Sequence, residues 1–371
     1  MIIPFSYKFY NTTKDALDGM YQAILGAQKS ILLEIYGLVD DEAGTRFIEA
    51  LLAKVGSGVD VIIIVDGIGS KDLSDEAEVK MRAAGVKFVW HNKINWSWRT
   101  LFDLPSVWYR NHKKLLIIDE DRVFVGGVNV RADGADWYDL HLEVAGVPDI
   151  AMLVHSFAKS YIRSGGARAD VRPYLRNKYI LRRNRNVSDK VHFVVLSPFY
   201  NLRHPFYLRR LYWRALNVAR TSFNLVTPYF VPDNYFLKLI KQAIKRGVAV
   251  NIILPWRPDH AFMQWISHGF YALTAKLGSA IYFLKIMNHA KAFSADDSFG
   301  MVGSANLTPR SFFINHEICA YFTDRAMVRD LNNIFEVWKK ESTPLSDLNW
   351  GKRGWMRRAR EWWMEKMKDY V

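Results

Sequence analysis

NHKKLLIIDEDRVFVGGVN, residues 111–129, and NHAKAFSADDSFGMVGSAN, residues 288–306, are two copies of one stretch. Each carries a His, a Lys two residues later and an Asp five residues after the Lys. These are His112, Lys114 and Asp119 in the first copy, His289, Lys291 and Asp296 in the second. Small residues and an Asn follow in step: Gly126, Gly127 and Asn129 against Gly303, Ser304 and Asn306. Every pair is displaced by the same 177 residues, a register that chance does not produce.

Working outward, the duplication continues. ILLEIYGLV (31–39) and VDVIIIVDG (59–67) are apolar, β-branched runs of the kind that form buried strands. NLVTPYF (224–230) and VAVNIILP (248–255) stand in the same places in the second half. Helical spacing over 42–55, 74–84, 149–163 and 234–245 alternates with these strands, and short strands are expected at 86–90 and 280–285. Strand followed by helix predicts an α/β sandwich with a mostly parallel sheet, present twice and packed as a pseudo-twofold pair. HEICAYF (316–322) is matched to HLEVAG (141–146), which sets Glu317 opposite Glu143. The expected division is a first half over 1–165, a basic linker over 166–190, a second half over 191–345 and a tail over 346–371.

Alternation along 112–119 puts His112 and Lys114 on one face of a strand and Lys113 on the other, so one ligand can meet both. Each copy then offers an imidazole, a cation and a carboxylate. Two imidazoles suffice for double displacement at phosphorus: one attacks, while the other protonates the leaving oxygen and later deprotonates the incoming one. The lysines neutralise charge building on the nonbridging oxygens. A carboxylate can hold an imidazole in the required tautomer. Asp119 and Asp296 are candidates for that role, or for capping a turn, since both fall at strand ends. Asn129, Ser304 and Asn306 can add neutral hydrogen bonds to a phosphate, and Glu143 and Glu317 complete the candidate binding set. The scheme calls for no cofactor, and the chain carries no HExxH or paired CxxC metal spacing. One copy supplies half a site, so the two halves must meet.

A formal charge of +14 points to an anionic partner. Cys319 is the only cysteine, which excludes an internal disulfide and fits a reducing compartment. The sequence shows neither a secretory signal nor an apolar run long enough to span a bilayer, so a membrane-active form would lie on the surface. HNKINWSWRTLFDLPSVWY (91–109) is either a long loop against the body or an aromatic lip reaching lipid. WGKRGWMRRAREWWMEKMKDYV (350–371) has aromatic and basic residues at helical spacing, as a docked closing helix or a membrane-surface helix would.

The doubled HxKxxxxD pattern, each copy followed by GG or GS and an Asn, resembles the phospholipase D superfamily. WYDLHLEVAG, TPYFVP and VGSANLTPRSF resemble the bacterial cardiolipin synthases within it. The resemblance covers about residues 29–340 and suits the shorter type lacking two N-terminal transmembrane helices. It implies phosphatidyl transfer between two phosphatidylglycerols, through a phosphohistidine formed on His112, with His289 as general acid and base. It also implies a peripheral enzyme at the cytoplasmic face of an anionic phospholipid membrane, with nucleic acid an unlikely partner. Hydrolysis of phospholipid or nucleic acid by the same site, and a non-enzymatic coat on anionic surfaces, are the competing readings.

Overall fold

The computed structural model describes residues 4–93, 109–175, 190–197 and 207–348. The expected aromatic lip, most of the basic linker and the tail lie outside them. The first half is a seven-stranded sheet: β1 (Ser6–Thr12), β2 (Ser30–Ile35), β3 (Asp60–Asp66), β4 (Lys87–His91), β5 (Lys114–Ile118), β6 (Arg122–Gly126) and β7 (Tyr138–Ala145). Across the sheet they run β1-β7-β6-β5-β2-β3-β4. The second half contains β8 (Val191–Leu196), β9 (Ser222–Val226), β10 (Ala249–Pro255), β11 (Ala280–Leu284), β12 (Ala292–Ala295), β13 (Phe299–Gly303), β14 (Glu317–Phe322) and β15 (Ser342–Pro344). Read from β8, its order is β8-β14-β13-β12-β9-β10-β11, with β15 added beyond β11. The two sheets therefore share one topology, strand for strand, and the duplication is a duplication of fold. Only β2-β3-β4 and β9-β10-β11 are parallel ladders, so each sheet is mixed rather than mostly parallel. The hairpins built by the repeated stretch supply the antiparallel part.

The local chemistry explains the elements. SILLEI is buried at every position, as a central strand covered on both faces must be. The following helix, Glu42–Gly56, starts where Asp41 accepts from the backbone N–H of Gly44 at 3.0 Å. Helix Asn234–Lys245 starts in the same way on Asp233, which accepts from Phe236. Strand alternation sorts the core. Leu116 and Ile118 pack with Phe47, Leu51 and Met81 on the outer side of the first sheet. Leu115 and Ile117 face inward, into a cluster that holds Phe157 and Tyr161 of helix Ile150–Arg163 together with Phe335 and Trp338 of helix Arg325–Lys340. That cluster draws on both halves and is the layer between them. Burying a side chain of this size contributes about 1.5–3 kcal/mol, so the shared layer fixes the halves against each other. Tyr7 Oη to Asp330 and Tyr138 Oη to Glu341, both 2.8 Å, add polar ties across the same boundary.

Candidate active site

The halves also exchange backbone hydrogen bonds where the two motifs begin. His112 N–H donates to His316 O at 2.9 Å, and His316 N–H donates to Arg110 O at 2.9 Å. The twofold copy of this pairing has His289 N–H donating to Tyr138 O at 2.7 Å and Tyr138 N–H donating to Met287 O at 2.9 Å. Each motif histidine is thus clipped to the strand that starts the last hairpin arm of the other half. The residue after each clip carries a carboxylate, and the pairs cross. His112 Nδ1 meets Glu317 at 3.0 and 3.1 Å; His289 Nδ1 meets Asp139 at 2.9 Å. An ionised carboxylate only accepts, so both Nδ1 atoms carry the proton and both Nε2 atoms are left for chemistry.

Glu317 is itself held by Ser304 Oγ at 2.5 Å and Ser311 Oγ at 2.8 Å. At the position matching Ser304 the first half has Gly127, where an added Cβ would lie 2.0 Å from Asp139 Oδ1. The GG/GS difference therefore follows from the carboxylate each residue faces: Asp139 needs the space, and Glu317 takes the hydroxyl. His112 and His289 both line one cavity of about 1010 Å³, with Tyr36, Arg110, Asn129, Trp137, Asp139, Tyr229, Asp259, Asn306 and Arg310.

Lys114 and Lys291 lie behind the imidazoles, each 1% exposed, and each ammonium donates to the carbonyl of its own motif His. Burial and the opposing Lys291 bring Lys114 down to about 7, and burial brings Lys291 down to about 8. Burial likewise holds His112 at about 4 against the pull of Glu317, and lowers His289, where Lys291 adds to the effect. Asp139 is buried, which works against ionisation, but His289 outweighs burial and lowers its pKa. Burial thus favours neutral imidazoles, which leaves His112 Nε2 free to attack, and the negative charge of a phosphate would favour the protonated forms of Lys114, Lys291 and His289. No group of three or more His, Cys, Asp or Glu among the described residues is gathered to hold a metal ion.

The remaining expected residues divide. Asn129 and Asn306 reach the cavity wall. Asn129 Oδ1 accepts from Gly37 N–H at 3.1 Å, while Asn306 Oδ1 is buried without a partner among the described residues. Asp119 and Asp296 do not reach the cavity. Each sits at the far end of its motif strand, about 16 Å along the backbone from its lysine. Asp119 accepts from the N–H groups of Gln28, Lys29 and Ser30; Asp296 accepts from those of Arg220, Thr221 and Ser222. Both take the turn-capping alternative, with φ of 54° and 49° in the left-handed region that Asp tolerates. The pairing of Glu317 with Glu143 is corrected as well. Gly127 N–H donates to Leu140 O and Ser304 N–H to Ile318 O, so the ladder register matches Glu317 with Asp139. Glu143 lies four residues further along β7, where it accepts from Tyr10 Oη at 2.7 Å and pairs with Arg122 at 3.3 Å. A slip of four keeps the side chain on the same face of the strand, which is why alternation alone did not reveal it. Asp139 belongs to neither copy of the motif; the sequence signal for it is its position 12 residues after Gly127, against 13 between Ser304 and Glu317.

A family model described as "Cardiolipin synthase, PLD-like domain" matches residues 20–160 and 212–338, one segment in each half. The chain belongs to that family. It is therefore grouped with the phosphatidyltransferases of the phospholipase D superfamily. It is 32% identical over 326 residues to a cardiolipin synthase of Clostridium perfringens strain SM101, covering 85% of this chain and 66% of that one. It is 30% identical over 354 residues to cardiolipin synthase 1 of Bacillus anthracis, covering 92% and 68%. The chain spans about two thirds of the length of these relatives. Among solved structures, phosphatidylserine synthase of Haemophilus influenzae Rd KW20 shares the fold with a TM-score of 0.71 at 14% identity, over 98% of this chain and 95% of that one. No helix among the described residues is long and apolar enough to cross a membrane.

Proposed function

We propose that this protein makes cardiolipin by moving a phosphatidyl group from one phosphatidylglycerol to another through a phosphohistidine. The observation that carries the reading is the crossed pair of His–carboxylate contacts, which leaves two Nε2 atoms for one cavity. In the first step His112 Nε2 attacks phosphorus. The bond to the headgroup oxygen breaks, and protonated His289 gives its Nε2 proton to the departing glycerol. In the second, His289 Nε2 takes the proton from a hydroxyl of the second phosphatidylglycerol, whose oxygen attacks phosphorus as the bond to His112 breaks. Lys114 and Lys291 stabilise the charge on the nonbridging oxygens. The phosphate also favours the protonated form of His289, which burial opposes. The relatives' names and the +14 charge support a lipid substrate on an anionic surface, at which the protein would act peripherally.

The test is purified protein with phosphatidylglycerol vesicles. Cardiolipin and free glycerol are expected, with a covalent phosphoryl adduct on His112 after a brief quench. Phosphatidic acid with no cardiolipin would replace the transferase reading by hydrolysis. His112→Ala is expected to keep vesicle binding and lose turnover; retained turnover would remove the nucleophile assignment.

A further inference from the structure

The rim of the cavity departs from the twofold symmetry that its centre keeps. Tyr229 and Asp259 line it on the second-half side. Tyr229 Oη donates to Asp259 Oδ1 at 2.6 Å, and His260 N–H donates to the same oxygen at 3.1 Å. Asp259 Oδ2 shares neither bond; the His260 Nε2 near it is 3.8 Å away, beyond hydrogen-bond length. Burial raises the pKa of Asp259, but His289 and Tyr229 outweigh it and keep the carboxyl ionised. Asp259 and His289 line the same cavity, and the Asp259 charge favours the protonated forms of His289 and Lys291.

The matching position in the first half is different. Glu34 pairs with Ile64 and Leu115, and Val226 pairs with Ile253 and Ala292, so Ile64 and Ile253 correspond. Six residues beyond them stand Ser70 and Asp259. Ser70 is fully buried; its hydroxyl donates to Tyr36 O at 3.0 Å and accepts from Leu38 N–H at 2.9 Å. It is spent inside the fold and offers the cavity nothing. By this count the carboxylate stands on the His289 side, while the first-half carboxylates of Asp72 and Asp133 reach the cavity from other loop positions.

We propose that Asp259 forms a polyol-reading subsite. When the reacting hydroxyl of an alcohol meets His289 Nε2, a second hydroxyl of the same alcohol donates to Asp259 Oδ2. The subsite deepens the phosphatidyl-transfer reading and rests on it. It fits a glycerol-type headgroup and repels an alcohol carrying a carboxylate, because two anions would share one pocket. It also gives a structural reason for unequal roles in a near-symmetric pair. The alcohol arrives and departs beside His289, so His289 handles its proton and His112 is left to attack phosphorus. Asp259 acts as a specificity residue here, and Tyr229 positions it.

The experiment gives the full chain phosphatidylglycerol vesicles with equal concentrations of deuterated glycerol and 1-propanol. The two lipid products, deuterated phosphatidylglycerol and phosphatidylpropanol, are then counted by mass. Both come from one phosphohistidine, so any damage to the donor step cancels in their ratio. In Asp259→Ala the glycerol-to-propanol ratio is expected to fall at least tenfold, with a higher apparent KM for glycerol. Asp259→Asn keeps the shape and one acceptor oxygen, and is expected to shift the ratio in the same direction by less. A ratio within twofold of wild type in both variants, including a parallel loss of both products, would overturn the subsite. Wild-type protein that makes cardiolipin but neither alcohol product would overturn the subsite alone, and one that makes none of the three would overturn phosphatidyl transfer itself, and the subsite with it.

Discussion

Glu317 belongs to the second half of the chain and holds Nδ1 of His112, in the first half, at 3.0 Å. The two residues are 205 positions apart, and the bond exists only when the halves are docked. If that carboxylate sets the tautomer of His112, Glu317→Gln should lower kcat roughly 10²- to 10⁴-fold. Binding of phosphatidylglycerol vesicles should change little. Asp139→Asn should do the same through His289. Steady-state kinetics on both variants check this, and a loss confined to KM would show that the carboxylates serve binding instead.

Asp119 makes the opposite prediction. Its carboxylate accepts from three successive backbone N–H groups at the end of β5, away from the cavity. Asp119→Asn tolerates the left-handed backbone but weakens the charge-assisted bonds, so a stability loss of about 1–3 kcal/mol is expected. Activity per folded molecule should remain. Urea unfolding alongside an activity assay separates the two, and a folded but inactive variant would return Asp119 to the catalytic set.

Lys113 and Lys114 are neighbours with different tasks. Lys113 is 1% exposed and pairs with Glu34 at 2.8 Å and Ser160 Oγ at 3.0 Å inside the core. Lys113→Met strands the Glu34 charge and should cost about 3–5 kcal/mol. Lys114→Met removes a cation that burial already disfavours, so it should fold at least as stably as wild type while losing turnover. Melting curves decide, and equal destabilisation by the two substitutions would contradict the division.

Filling the site with an anion should draw protons from solution. Lys114 at about 7 and Lys291 at about 8 are both partly neutral at pH 8, and a bound phosphate would raise both. Titration calorimetry with tungstate in buffers of different ionisation enthalpy should register net uptake at pH 8. Uptake by the lysines should fade toward pH 6, where both are already charged. Buffer-independent heats at pH 8 would argue against coupled lysines.

Stability should fall as the medium turns acid from pH 6.5 to about 4. Burial holds His91 at about 3, His112 and His141 at about 4, and His316 at about 2; the Lys113 charge further lowers His91 and His316. In the unfolded chain these imidazoles take protons near 6.5, so the unfolded state binds more protons throughout that window and gains on the native one. The urea midpoint should therefore drop steadily below pH 6.5. A flat midpoint between pH 7 and 5 would mean the imidazoles titrate normally.

Much was legible in the sequence because it was written in local spacing. The 177-residue displacement located both histidines and both lysines, and alternation separated Lys113 from Lys114. The apolar runs SILLEI and DVIIIVD became the central parallel strands of the first half. β1 and β8 escaped the reading: β1 is an edge strand with a half-exposed pattern, and β8, the matching edge strand, is a short run at the end of a basic stretch.

The sequence by itself determined that the fold is duplicated, which imidazoles and ammonium groups recur, and that each copy carries half of the candidate site. The tertiary structure decided which carboxylates serve those imidazoles. It passed over the aspartates inside the motifs and chose Asp139 and Glu317, each from the opposite half. Motif spacing reports neighbours along one strand, whereas the His–carboxylate contacts depend on hydrogen-bond register between strands and on the docking of two sheets. Those are fixed by packing over 150 or more residues of intervening chain, and no local pattern records them.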